Sequence, residues 1–175
     1  MYTKTFLHYP KPTDPDQTIK TSETVQYLDG LGRPKQIVNI KASPLGRDVV
    51  SHIVYDQYGR QALDYLPVPQ GGTGNGAIVT NPLSNATQTD IYGSEKIYAE
   101  KLLESSPLDR VMEQKQVGTA WSSKPVKFEY DANADGEVRK YTATFNYSTF
   151  TSEIVLSTVG YGANQLYKNT VIDED

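Results

Sequence analysis

The stretch DANADGE at 131–137 has residue types and spacing that could hold a metal. Asp131, Asn133 and Asp135 stand at i, i+2 and i+4 with Gly136 at the sixth place, and hard oxygen donors at that spacing match the front half of a calcium loop. The twelfth place, however, is Thr142 rather than a bidentate Glu, and the flanks FEY and VRKYTATF read as strands rather than helices. The favoured reading is an Asx-rich hairpin turn lengthened by two residues, with no cofactor. A weak Ca²⁺ site on Asp131, Asn133 and Asp135 is the alternative.

Other chemistry is thinner. GGTGNGA at 71–77 lacks the Lys-Ser/Thr of a phosphate cradle and a following helix, so it reads as a flexible loop. His8 and His52 are the two histidines, the first in a loose N-terminal segment and the second beside an apolar strand, and both read as structural. The carboxylates are scattered and fall mostly at turns, where capping accounts for them. No catalytic residue is assigned, and the chain is read as not an enzyme. Tyr27, Tyr55, Tyr65, Tyr130, Tyr141 and Tyr147 recur at strand positions. Such rings suit a half-wet sheet face, and they could also stack on sugars, which makes a glycan the alternative ligand. The triplets NAT at 85–87 and NYS at 146–148 fit a glycosylation pattern that has meaning only in a eukaryotic secretory context.

What would position these residues is a repeated phrase. VQYLDGLGRPKQIV at 25–38 and IVYDQYGRQALDYL at 53–66 share an apolar alternating run, then Tyr, Asp, a short turn, Gly-Arg and a second mixed run. Asp29 and Asp56 can accept backbone N–H groups where the turn begins, while Gly32 and Gly59 can take positive φ just before the return strand. Arg33 and Arg60 then pair with a neighbouring repeat's Asp or carbonyl, or stack on a Tyr. Arg33 and Arg60 are 27 positions apart, and Arg110 and Glu137 are separated by the same interval. SPLDR thus reads as a degenerate copy carried by Asp109 and Arg110, and FEYDANADGEVRKY as a further copy carried by Tyr130, Asp131 and Gly136.

The spacing predicts an all-β chain of repeated antiparallel hairpins with at most one short helix, over SEKIYAEKLLE at 94–104. Residues 1–24, with prolines among short polar side chains, read as an extended N-terminal segment, and the fold is placed at 25–175 with a long surface loop inserted at about 67–92. Hydrophobic residues are 37% and charged residues 22% of 175, which with 13 tyrosines places the chain among folded rather than disordered sequences. Lys plus Arg total 17 against 21 Asp plus Glu, with no basic block, so a nucleic-acid partner is not expected. There is no Cys for a disulfide or thiolate site, and no apolar run approaches the length of a membrane span. No signal peptide is visible either.

YDQYGR at 55–60 is similar to the Tyr-Asp repeat of Rhs proteins, and YLDGLGRPKQ at 27–36 is a close variant with Leu28 between the Tyr and the Asp. SPLDRVMEQ at 106–114 also looks like a recurring phrase of such chains. The run from VQYLDGLGRPKQ through KASPLGRDVVSHIVYDQYGRQALDYLPVPQ to GSEKIYAEKLLESSPLDRV resembles the N-terminal region of large Bacteroidetes-type Rhs proteins, a domain of unknown function preceding the repeats. The likeness spans roughly residues 22–175. It implies a non-enzymatic segment of a secreted or cell-surface bacterial protein, part of a curved β-sheet or partial spiral shell around a C-terminal effector, often a toxin. It further implies a sheet truncated near 165–175, whose open edge is completed by downstream repeats or another chain. YDANADGE departs from the pattern, with two extra residues and Glu137 in place of Arg.

Overall fold

Alternating β-branched and aromatic residues make strands throughout. In the computed structural model, which describes residues 1–8, 11, 13, 19–86 and 92–174, these are β1 (Tyr2–His8), β2 (Lys20–Leu28), β3 (Pro34–Asn39), β4 (Val49–His52), β5 (Leu63–Tyr65), β6 (Val68–Pro69), β7 (Tyr98–Leu103), β8 (Val111–Lys115), β9 (Val126–Ala132), β10 (Tyr141–Asn146), β11 (Thr151–Leu156) and β12 (Tyr167–Ile172). One antiparallel sheet runs β1-β2-β3-β4-β6 and a second β12-β9-β8-β7-β5, while β10 and β11 pair with each other. A bridge between Ile53 and Asp64 joins the two sheets where β4 leads into β5. The fold is all-β and built from antiparallel hairpins. Among the described residues the one helical element is a 3-10 turn at Thr119–Trp121.

Two expectations need correction. The helix expected over 94–104 is instead β7, paired with β5 on one side and β8 on the other. Good helix formers lose here because a central strand position satisfies the backbone on both sides, and the side chains find cross-strand partners. Tyr98 lies opposite Tyr65 with ring centroids 5.3 Å apart, and Lys101 Nζ reaches Asp64 Oδ2 at 2.6 Å. At the N-terminus, the fold begins well before Val25. β1 pairs along β2 from Tyr2↔Val25 onward, and the Met1 ammonium donates to the Gln26 carbonyl. Residues 9–10, 12 and 14–18 of that segment lie outside the described residues.

The first sheet is organised by a row of valines. Val25, Val38, Val50 and Val68 stand opposite one another across β2, β3, β4 and β6, and the last three are fully buried. Val68 also joins Ala86 and Ile97 in a core that packs against Tyr65, Leu66, Leu83 and Tyr92.

Among the described residues no α-helix covers this face, and the Gly-rich segment does so. Residues 71–86, within the stretch expected as an inserted loop, have no regular element and form a strap fixed by side chains from the sheet; residues 87–91, with Thr87 of the NAT triplet, lie outside the described residues. Fully buried Asp48 accepts the Lys41 N–H on Oδ1 at 2.9 Å and the Gly76 N–H on Oδ2 at 2.8 Å. Its own main chain donates to the Thr73 carbonyl and accepts from the Gln70 N–H. Gln36, also buried, both donates to and accepts from the main chain of Val79, and the Tyr27 hydroxyl donates to the Gly76 carbonyl. Gly76 has φ of 74°, and a Cβ there would sit 2.6 Å from Ile40 Cδ1, so the backbone approaches the sheet as only glycine can.

Asp48→Ala strands the buried Gly76 N–H and the part-buried Lys41 N–H and should lower unfolding stability by about 1–3 kcal/mol. Gly76→Ala should cost about 1–3 kcal/mol through overpacking against Ile40. Urea unfolding followed by circular dichroism measures both, and an unchanged midpoint for Asp48→Ala would refute this account of the strap.

Candidate functional site: the acid–arginine turns

The residues of the repeated phrase meet in a small constellation at each turn. Between β2 and β3, Asp29 Oδ1 accepts the N–H groups of Leu31 and Arg33, both at 2.9 Å, while Oδ2 accepts the Arg33 Nε–H at 2.8 Å. The backbone closes the same loop, with Asp29 N–H donating to the Arg33 carbonyl and Gly32 N–H to the Asp29 carbonyl. Between β4 and β5 the set recurs: Asp56 Oδ1 accepts from the main chains of Tyr58 and Arg60, and Oδ2 accepts from Arg60 Nε at 2.8 Å. Gly32 and Gly59 have φ of 80° and 81°, the left-handed geometry that brings the following Arg back over its acid.

Each arginine also reaches beyond its own turn. Arg33 Cζ lies 4.2 Å from the centre of the Tyr55 ring, and the Tyr55 hydroxyl donates to the Pro34 carbonyl at 2.9 Å. A Cβ on Gly59 would come within 2.7 Å of the Arg33 guanidinium, so Gly59 supplies space as well as conformation. Arg110 and Tyr130 repeat the arrangement, with Arg110 Cζ 4.6 Å from the ring centre and the Tyr130 hydroxyl donating to the Val111 carbonyl. The position before the next acid is Leu103, which offers Arg60 no ring. Arg60 instead lies over its own Tyr58, donates to the Glu104 carbonyl and pairs with Asp109 Oδ1 at 2.8 Å.

The third turn corrects the sequence reading of SPLDR. The acid that holds Arg110 is Glu104, whose Oε1 accepts the Arg110 N–H and whose two oxygens take its side chain between them. Asp109 stands where the other turns have glycine, with φ of 51°, and its carboxylate faces Arg60 of the preceding turn. Spacing concealed this, because Asp29 and Asp56 are four residues before their arginines and that place before Arg110 is Ser106. Ser106 Oγ in turn donates to Glu104 Oε1.

The fourth copy makes no such clasp. Asp131 lies in β9 opposite Lys168 of β12, Asp135 is exposed, and Glu137 accepts the Ala134 N–H and pairs with Lys168 Nζ at 2.6 Å rather than replacing an Arg. Asn133 is buried and spent on the chain's return: Oδ1 accepts from the main chains of Gln165 and Leu166, and Nδ2 donates to the carbonyls of Ala134 and Gly162. The oxygen a calcium reading would use is thus doubly occupied. Gly136, with φ of 69°, donates its N–H to the Tyr161 carbonyl. Among the described residues, no group of three or more His, Asp or Glu side chains is placed to hold a metal ion.

The remaining candidates are dispersed. His52 stands 5.9 Å from the Tyr65 ring, its Nδ1 is buried without a partner, and burial, followed by Lys35, holds the imidazole below its usual range. The His8 side chain lies outside the described residues. Asn146 of the NYS triplet accepts from the main chains of Ser148 and Thr149 and shapes the β10–β11 turn. Tyr141 and Tyr147 are exposed on the same hairpin.

Charge at the turns has a direct pH signature. Asp29 and Asp56 are held below the usual carboxylate range, first by the N–H groups of Arg33 and Arg60. Glu104 is lowered to about 2, first by the Arg110 side chain. A depressed folded-state pKa adds stability that is complete above the unfolded value of roughly 4.3 for Glu and is lost as pH falls through the folded value. The melting temperature should therefore fall between about pH 4 and pH 2, and Glu104→Gln should flatten that fall. Equal slopes for the two proteins would show that the Glu104 clasp does not carry it.

The profile of a family described as a domain of unknown function (DUF6443) matches residues 5–134, a span that contains all three clasped turns and ends at the Asn133 anchor. No curated protein and no solved structure matches the chain. No helix among the described residues is long and apolar enough to cross a membrane. With more than half of its length inside the match, the chain belongs to the DUF6443 family.

Proposed function

We propose that this chain is a non-enzymatic structural segment of an Rhs/YD-repeat protein, secreted or displayed at the cell surface. Its hairpins form part of a β-shell that encloses or presents an effector carried elsewhere in the same polypeptide. The observation that carries this reading is the outward reach of the arginines: Arg33, Arg60 and Arg110 each close their own turn and then bind the hairpin that follows. Such a device propagates from repeat to repeat and gains with every added unit, as expected of a repeat architecture. β12 supports the same reading. It is the outer strand of its sheet, with Tyr167 fully exposed and Val171 largely so, and it suits the addition of a further strand from downstream repeats or another chain.

A glycan-binding module is the weaker reading because, of the rings it needs, Tyr27, Tyr55, Tyr65 and Tyr130 are engaged and only Tyr141 and Tyr147 stand open on the β10–β11 hairpin. Tyr55 and Tyr130 each carry a guanidinium and donate their hydroxyls to main chain, and Tyr65 sits between His52 and Tyr98. The decisive test is the gene beyond the Asp175 codon. A frame that continues through more Tyr-Asp turns into an unrelated C-terminal block is the expected result, and an immediate stop codon overturns the shell. Glycan-array binding lost in Tyr55→Ala and Tyr65→Ala, with the fold intact by circular dichroism, would establish the binding module instead.

A further inference from the structure

The β10–β11 hairpin is a separate excursion from the sheet. The chain leaves after β9, and β12 returns to pair with β9 rather than with β11. The base of the excursion is closed by Ser157 N–H to the Lys140 carbonyl, Tyr161 N–H to the Val138 carbonyl and the four side-chain hydrogen bonds of Asn133. Every residue from 141 to 156 is exposed.

The register sorts the hairpin into two faces. Tyr141 lies opposite Leu156, Ala143 opposite Ile154 and Phe145 opposite Ser152, so one face is apolar, with Tyr147 extending it edge-on to Phe145 at 4.8 Å between centroids. The other face carries Thr142, Thr144, Glu153 and Val155. Tyr147 is 80%, Phe150 81% and Ile154 72% exposed. With an aromatic side chain burying about 150–250 Å², this face and its turn offer on the order of 600 Å². That is at the top of what a monomer ordinarily leaves exposed and close to the ~800 Å² each partner contributes to a standard interface.

We infer that the apolar face of the β10–β11 hairpin is a homodimer interface, packed face to face on the same face of a second copy. Charge selects this occupant. Glu153 is the single charged residue between 141 and 156, and it projects from the opposite face, so two copies meet without desolvating an ion. An antiparallel hairpin is self-complementary about a two-fold axis, and one patch serves both partners. A lipid surface fits less well, because no Lys or Arg lies between 141 and 156 beside the exposed rings, Arg139 and Lys140 standing only at the base of the hairpin, and the chain carries a net charge of −4.

Sedimentation velocity of the full chain over a wide concentration range tests the inference. The expected result is a reversible dimer, weakened about tenfold or more by Phe145→Lys or Ile154→Lys and unchanged by Thr144→Lys on the polar face or Tyr167→Lys on the β12 edge. If the lysine variants lose the hairpin by circular dichroism, the milder Phe145→Ala and Ile154→Ala should still weaken the dimer while leaving the hairpin in place. A chain monomeric at all concentrations overturns the inference. So does a dimer indifferent to the Phe145 and Ile154 variants, or neutral-vesicle binding lost in Phe145→Lys without dimerisation.

Discussion

The structure depends on one interaction, a turn carboxylate that accepts main-chain N–H groups on one oxygen and an arginine side chain on the other. Asp29 and Asp56 do this with equivalent partners, and Glu104 makes a looser version across a longer loop, accepting one main-chain N–H on Oε1 and the Arg110 side chain on both oxygens. A hairpin turn must satisfy N–H groups that point inward, and an anion so placed satisfies two of them while holding a cation in a fixed direction. The guanidinium then has a second face and further N–H groups to offer. It offers them to the next hairpin, as with Arg33 on Tyr55 and Arg110 on Tyr130. Local turn chemistry thereby becomes a link between successive units.

The clasp orders the edge of the fold, but it cannot dry a sheet face. With no α-helix among the described residues, the row Val25, Val38, Val50 and Val68 needs another cover, and the glycine-rich strap supplies it. A loop laid on an apolar surface brings unpaired backbone groups with it, which is costly unless side chains meet them. Asp48, Gln36 and Gln70 do so, which explains why three polar residues are buried beside the most apolar part of the molecule. Glycine at 76 allows the approach, and the Tyr27 hydroxyl pins the carbonyl of that same residue.

Beyond β9 the pattern changes. Asn133 replaces a carboxylate with an amide that both donates and accepts, so it can hold the outgoing and returning chain at once where an Asp could only accept. That exchange frees the segment between them to form the exposed β10–β11 hairpin, and it lets β12 rejoin the sheet at β9.

The sequence alone determined the class of fold, because period-two alternation and Asp-Gly turns are local properties that leave little choice of element. The phrases around Asp29–Arg33 and Asp56–Arg60 were legible for the same reason: acid, glycine and arginine act within a few residues of one another. Tertiary structure decided the rest, wherever a residue's partner is distant in sequence. SEKIYAEKLLE is locally a fair helix, and pairing with β5 and β8 makes it a strand. Asp48 meets Gly76 from 28 positions away, and Asp109 serves Arg60 from 49 positions away. Propensity and spacing record only what neighbours in the chain can do for each other, while buried hydrogen bonds and charge pairs are settled by which segments the closed fold brings together.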